Sequence, residues 1–275
     1  MTAPPMRWTS LADDDDGDLG DVLRDIERDV PPFLAELTAK HRRHVAASFP
    51  EHSWVVAEDR LPVAAVRALP LRWDGSVDDA PAGGAGEAVG RTVEAGADTL
   101  AVLDVTVAYG ARGRGVGAAV LAELDARREA CGLARTLVLL RPHAKAAYPL
   151  IPFARYLSFM ASADEPFDPW LRAAWRAGYA PVLGVERSLN ASADLPSWQR
   201  WLDVAVPGSG PYLVEGAIKP AIIELELGEG RYREPHLWMG AGEGVVRGRD
   251  GWIASLGRAG VVAGDRAHRE VKRSR

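Results

Sequence analysis

Nothing in the sequence limits the fold as tightly as residues 99–144, TLAVLDVTVAYGARGRGVGAAVLAELDARREACGLARTLVLLRPHA. The run 100–107 is apolar and β-branched, as suits a strand buried on both faces. Residues 118–131 place Val120, Leu121 and Leu124 on one side and Glu123, Asp125, Arg127 and Arg128 on the other, the pattern of an amphipathic helix. Gly132 supplies a stop, and 136–140 is a second strand. Between the first strand and the helix lies Arg112-Gly113-Arg114-Gly115-Val116-Gly117-Ala118. Glycine lets the backbone turn sharply and brings bare N–H groups against a ligand. A helix start adds unpaired donors and about half a positive charge. The combination predicts a cradle for a pyrophosphate.

Two kinds of nucleotide site use such a turn. A dinucleotide fingerprint G-x-G-x-x-G accepts Gly113 and Gly115 but finds Ala118 in its third place. Its acidic partner at the end of the second strand is replaced by Arg141, which would suit only a 2′-phosphate. No further strand–helix units are evident after residue 150. A ligand-free strand-to-helix turn is the other alternative, and three glycines among five residues would weaken a merely structural helix start.

The run Val105 to Leu121 reads V-x-V-x-x-x-x-R-G-x-G-x-G-x-x-x-L, with Arg112, Gly115 and Gly117 forming an R-x-x-G-x-G core. This resembles the acyl-CoA-binding motif of the GNAT (Gcn5-related N-acetyltransferase) superfamily. The proline common before the motif arginine is replaced around Tyr109. A wider likeness covers 50–239. The segments 71–75, 141–156, 166–172 and 231–238 resemble a bacterial, largely actinobacterial set of GNAT proteins with a C-terminal extension and mostly unassigned acceptors. The resemblance implies an α/β (α+β) GNAT fold, with a mixed twisted central sheet flanked by helices and a C-terminal α/β extension. It implies acetyl-CoA or another acyl-CoA as co-substrate. The backbone of Val105 and Val107 would meet the pantetheine arm, and the amides of Arg112, Gly113, Arg114, Gly115, Val116, Gly117 and Ala118 would hold the pyrophosphate.

The rest of the chain fits that plan. Residues 1–16 are polar and end in four aspartates, which predicts a disordered tail. The core is expected over 17–190, opening with helices at 21–28 and 33–47 and strands at 53–57 and 62–71. An extension over 191–240 carries a helix at 195–202 capped by Asp194 and a strand pair at 221–227 and 232–239. Residues 241–275 are expected to be poorly ordered, with a basic end from His268. Trp198 and Trp201 share a helix face that either covers the acceptor side, completes the core or forms a homodimer contact.

Composition narrows the function. Hydrophobic residues make up 47% of the 275, ample for a core, and no run of eighteen apolar residues occurs. With no apolar leader in the first residues and a single cysteine, Cys131, the chain reads as a soluble cytoplasmic protein without disulfides. A formal net charge of −5 argues against a broad nucleic-acid surface. His41 and His44 lack a third ligand nearby in sequence, so no metal is expected.

Transfer from a thioester needs a neutral amine and, for the departing thiolate, a proton. Asp104, a carboxylate inside an apolar strand, is either the base or a structural hydrogen-bond acceptor. Tyr148, by resemblance, stands where the family places a thiolate-protonating tyrosine, with packing as its alternative and Tyr156 as a weaker rival. His143 and Lys145 read as solvated loop residues, with a place lining the acyl-CoA gap, or for Lys145 a contact to CoA phosphate, as the alternatives. The expected reaction is direct acyl transfer to an amine of a small metabolite. Two alternatives stay open: a donor carried on aminoacyl-tRNA, and a non-catalytic acyl-CoA-binding module.

Overall fold

A computed structural model describes residues 6–14, 17–92, 96–245 and 251–262. The chain divides into two compact units, residues 1–73 with 91–138, and residues 74–90 with 139–275.

The first unit is a mixed sheet with helices packed on it. Strand β1 (Met6–Ser10) pairs antiparallel with β2 (Ser53–Glu58), which forms a hairpin with β3 (Leu61–Leu71). Asp59 and Arg60 both take positive φ, 46° and 69°, as a tight hairpin turn between right-twisted strands demands. Strand β4 (Thr99–Val107) runs antiparallel to β3 and parallel to β5 (Arg135–Leu140). Helices α1 (Leu19–Ile26) and α2 (Pro32–Ser48) pack on β3. A short α3 (Ala85–Gly90) belongs to the second unit, and α4 (Val116–Ala130) is the crossover between β4 and β5. Leu100, Val102, Val120, Leu121 and Leu124 are fully buried, as the strand and helix patterns require.

The expected disordered tail over 1–16 is corrected here. Residues 6–10 register on β2 from Met6↔Glu58 to Ser10↔Trp54, and Trp8 Nε1 donates to Glu123 Oε2 at 2.6 Å. The aspartates masked two good β-formers, Trp8 and Thr9. Asp14 has a local role as well, accepting from the Leu19 amide at 3.1 Å just before α1.

The second unit contains α5 (Phe153–Leu157), the small pair β6 (Met160–Ser162) and β7 (Glu165–Pro166), and α6 (Pro169–Arg176). Its sheet is built on β8 (Ala180–Asp194). After α7 (Leu195–Leu202) come β9 (Gly210–Tyr212), β10 (Ala221–Glu224) and β11 (Glu229–Gly242). Strand β11 is antiparallel to both β8 and β10, and β9 is the antiparallel neighbour of β10. Helix α8 (Gly251–Arg258) and β12 (Gly260–Val262) close the described chain, with β12 parallel to β8.

Three expectations change. The boundary at 190 does not exist, because β8 runs through it and pairs with β11 from Ala180↔Gly240 to Asp194↔Glu229. The expected strand 221–227 stops at Glu224 and finishes as a 3-10 turn. Residues 241–275 are not uniformly irregular, since α8 buries Trp252, whose Nε1 donates to the Leu157 carbonyl at 2.8 Å. The high glycine content there hid an eight-residue helix. The basic end from His268 lies outside the described residues. Asp194 caps α7 as expected, accepting from the Ser197 amide at 3.0 Å. Gly230 is required where it stands, because a Cβ would come within 2.6 Å of the Trp198 ring and 2.5 Å of Ile223.

Candidate active site

The glycine turn sits between the end of β4 and the start of α4. Gly113 and Gly115 have φ of +73° and +86°, in the left-handed region that disfavours side chains. Gly115 is the N-cap of α4 and brings no side-chain cap, so the amides of Val116, Gly117 and Ala118 open the helix without an intrahelical acceptor. A Cβ added at Gly113 or Gly115 would meet nothing within 4 Å, so the floor of the turn faces open space. Bare amides, a helix dipole and free room above them fit an anionic pyrophosphate. The two arginines are partly engaged. Arg112 Nε donates to the Val107 carbonyl at 3.1 Å and its guanidinium lies 5.5 Å from the Tyr109 ring centre, while Arg114 Nη2 reaches Glu58 Oε2 at 2.8 Å.

Upstream of the turn, β4 is irregular. Its register with β3 shifts between Arg67↔Asp104 and Ala68↔Val102, leaving Leu103 as the extra residue of a bulge. Its parallel pairs with β5 run from Thr99↔Arg135 to Val102↔Val138, while β4 itself continues to Val107, so Val105 and Val107 lie past the last of those pairs.

The bulge sets Asp104 opposite Arg67 in a four-residue ion cluster. Asp104 Oδ2 accepts from Arg67 Nη1 at 2.8 Å, and Oδ1 accepts from Arg42 Nη2 at 3.3 Å. The Thr106 hydroxyl reaches both oxygens at 3.3–3.4 Å. Glu27, at the end of α1, bonds Arg67 Nη2 and lies 3.8 Å from Arg42 Nη1. Burial pushes the Asp104 carboxyl up, but Arg42 and Arg67 outweigh it and hold the group below the usual carboxylate range. A carboxylate with both oxygens taken by arginines is a weak proton acceptor. The geometry therefore favours the hydrogen-bond role of Asp104 over that of base. Sequence reading missed Arg67, although it is the one charge in the apolar run 63–71. His41 faces the same cluster. Burial keeps its imidazole below the ordinary histidine range, and its Nε2 has no partner among the described residues. His44 turns instead toward Ser48 Oγ at 3.5 Å, and no group of three or more metal-ligating side chains occurs among the described residues.

In the second unit, Tyr148 follows a 3-10 turn, His143–Ala147. Its ring packs against Tyr156, Phe159 and Phe167 with centroids 6.0, 6.4 and 5.8 Å away, while 38% of the residue stays exposed. Its hydroxyl has no hydrogen-bond partner among the described residues. Tyr156 is buried and donates to Asp168 Oδ2 at 2.9 Å, and burial and that carboxylate push its pKa far upward. Of the two tyrosines, Tyr148 alone keeps a hydroxyl at liberty to give a proton away.

Lys145 is not the solvated residue expected. It is fully buried, and burial, followed by repulsion from Lys219, lowers its pKa to about 8. A second buried charge, Glu234, also escaped the sequence reading. It accepts from Arg141 Nε at 2.7 Å, Arg141 Nη2 at 3.0 Å and the Tyr232 hydroxyl at 2.5 Å, and it contacts His236 Nε2 at 2.8 Å. The two-residue alternation that buries Tyr232 also buries Glu234, a signal legible in the strand.

No family model matches the chain. It is 29% identical over 158 residues to an arginine N-acetyltransferase, avaD, of Aspergillus versicolor, a match covering 51% of this chain and 54% of that protein. The chain thus spans about half the length of that curated relative. Among solved structures, the GNAT-like decarboxylase GphF in complex with isobutyryl-CoA superposes with a TM-score of 0.51 at 18% identity, over 67% of this chain and 90% of that one. The loading GNATL domain of CurA from Lyngbya majuscula gives 0.48 at 14% identity, over 64% and 84%. A bulged strand leading through a glycine turn into a helix, in a mixed sheet flanked by helices, defines the class of fold. The fold is that of the GNAT proteins. Among the described residues, no helix is long and apolar enough to cross a membrane.

Proposed function

We propose that the protein is an acyl-CoA-dependent N-acyltransferase that moves an acyl group, acetyl first among the donors, directly onto the amine of a small metabolite. The observation that carries this reading is the open glycine turn at the start of α4, with positive φ at Gly113 and Gly115 and no side-chain cap. The relative's printed activity, N-acetylation of arginine, supports an amino acid or similar amine as acceptor. The lone Cys131 suits a reducing compartment such as the cytoplasm.

The co-substrate supplies an activated acyl carbon and a thiolate leaving group. The chain's residues do the rest. Amides of 112–118 fix the pyrophosphate, and the β4 backbone at Val105 and Val107 aligns the arm that carries the thioester. Asp104 stays ionised between Arg42 and Arg67 and holds the β4 bulge, and its depressed pKa leaves the acceptor's ammonium proton to pass to water. The neutral amine forms the C–N bond, the C–S bond breaks, and the nitrogen gives its surplus proton to water. Tyr148, whose hydroxyl is free, gives its proton to the departing sulfur and regains one from solvent.

The test is thiol release from acetyl-CoA and isobutyryl-CoA with a panel of L-arginine, other amino acids, polyamines and aminoglycosides. Amine-dependent release is expected, with an acylated amine in the product mass spectrum. Release that ignores the amine, or no release with any pair, would refute N-acyl transfer.

A further inference from the structure

Acyl transfer uses neither the half-buried Arg141 nor the buried Lys145, yet each reaches the same short loop of the C-terminal part. Lys145 Nζ donates to the Ile218 carbonyl at 2.9 Å and to the Tyr148 carbonyl at 3.2 Å, and it lies 5.8 Å from the Tyr156 ring centre. Arg141 Nη2 donates to the Gly216 carbonyl at 2.7 Å while the same guanidinium grips Glu234 with two bonds. The loop is held from its other side as well, because the Ile218 amide donates to the Tyr232 hydroxyl at 3.1 Å and that hydroxyl donates to Glu234. Val214, Ala217 and Ile218 are buried, so the loop is also anchored by its apolar side chains. A lysine is costly to bury against carbonyls alone. Its ammonium is nonetheless kept at the point where it fixes the backbone of Tyr148.

We propose that loop 214–219 is a positioning device for Tyr148, and that Lys145 is the positioning residue that transmits it. The extension then serves the proton donor and is not a cover for the acceptor. This rests on the acyltransfer reading for its kinetic consequence, but the clamp itself has a readout that needs no turnover. The Tyr148 amide donates to the Lys145 carbonyl at 2.8 Å and the Ile151 amide to the Tyr148 carbonyl at 3.1 Å, so both report whether the segment is held.

The experiment compares the full chain with Lys145→Met, which keeps the volume and removes the donor, and with Tyr232→Phe, which cuts the clamp at its far end. Ile222→Ala, on the exposed face of β10, is the control. Hydrogen–deuterium exchange is followed over peptides spanning 143–151, and kcat and KM are measured with acetyl-CoA and the best amine of the panel. Both clamp variants are expected to exchange at least about tenfold faster there, to lose about tenfold or more in kcat, and to keep KM for acetyl-CoA within about twofold. The control should match the parent. Unchanged exchange in both clamp variants overturns the proposal, as does faster exchange with unchanged kcat. If the parent transfers no acyl group to any amine, the function reading fails by itself, and exchange alone then decides for or against the clamp.

Discussion

Lys145 gives a stability prediction whose sign and size follow from where it is buried. Its residue is fully enclosed, and burial followed by Lys219 lowers the pKa from 10.5 to about 8, against the opposing pull of Glu186 and Glu234. An unfolded chain holds this proton up to its ordinary value. Below about pH 8 both states carry the proton, and the folded state bears the whole cost of enclosing it. Between pH 8 and 10.5 the folded protein releases the proton first, so the unfolded state binds more protons and stability rises with pH. At about 1.4 kcal/mol per tenfold, the full swing is about 3 kcal/mol, of which about 2 kcal/mol accrues between pH 7 and 9.5. The perturbation is Lys145→Met, which cannot titrate. Urea unfolding of parent and variant at pH 7, 8, 9 and 9.5 cancels the titrations that the two share. The parent should gain about 2 kcal/mol on the variant over this range. A gap that stays flat with pH would show that the ammonium is solvated and the enclosed site is wrong. A gap moving in the variant's favour would reverse the sign of the reasoning.

Four further outcomes follow from the same geometry. Gly115→Val forces a β-branched residue to φ +86° at the head of α4, and it should weaken CoA binding by at least ~1.4 kcal/mol by calorimetry, with the far-ultraviolet spectrum unchanged; unaltered affinity would remove the pyrophosphate from this turn. Asp104→Asn removes the anion between Arg42 and Arg67 and should cost about 3 kcal/mol of stability at pH 7. Because the Asp104 pKa is lowered on folding, that deficit should shrink as pH falls through the carboxylate range in acid titrations of both proteins. Tyr148→Phe should reduce turnover by ~10² or more with acyl-CoA binding kept, and near-normal turnover would return Tyr148 to a packing role. Gly230→Ala drives a methyl into the Trp198 ring and should destabilise by about 1–3 kcal/mol with a shift in tryptophan emission, whereas a neutral effect would mean α7 can yield.

What the sequence determined by itself is local. Continuous apolar runs and one period-3.6 pattern located β4, α4 and β5 to within a residue or two. The glycines at 113 and 115 announced their left-handed conformations, because only that residue type takes them without strain. Asp194 announced the start of α7 by its cap. Asp104 could be seen as an oddity, a carboxylate in an apolar strand, but its role could not. That depended on Arg42 from α2, Arg67 from β3 and Glu27 from α1, sixty-two, thirty-seven and seventy-seven positions away in a chain whose charges carry no label of their partners. Tertiary structure likewise decided that Lys145 lies inside, because burial of a lysine is set by what folds over it and not by its neighbours in sequence. The order of the ends was also decided there. Strand β1 and helix α8 are short, polar or glycine-rich, and weak in isolation. They exist because β2 offers an edge to the first, and the Leu157 carbonyl and the Trp175 ring receive the Trp252 side chain of the second.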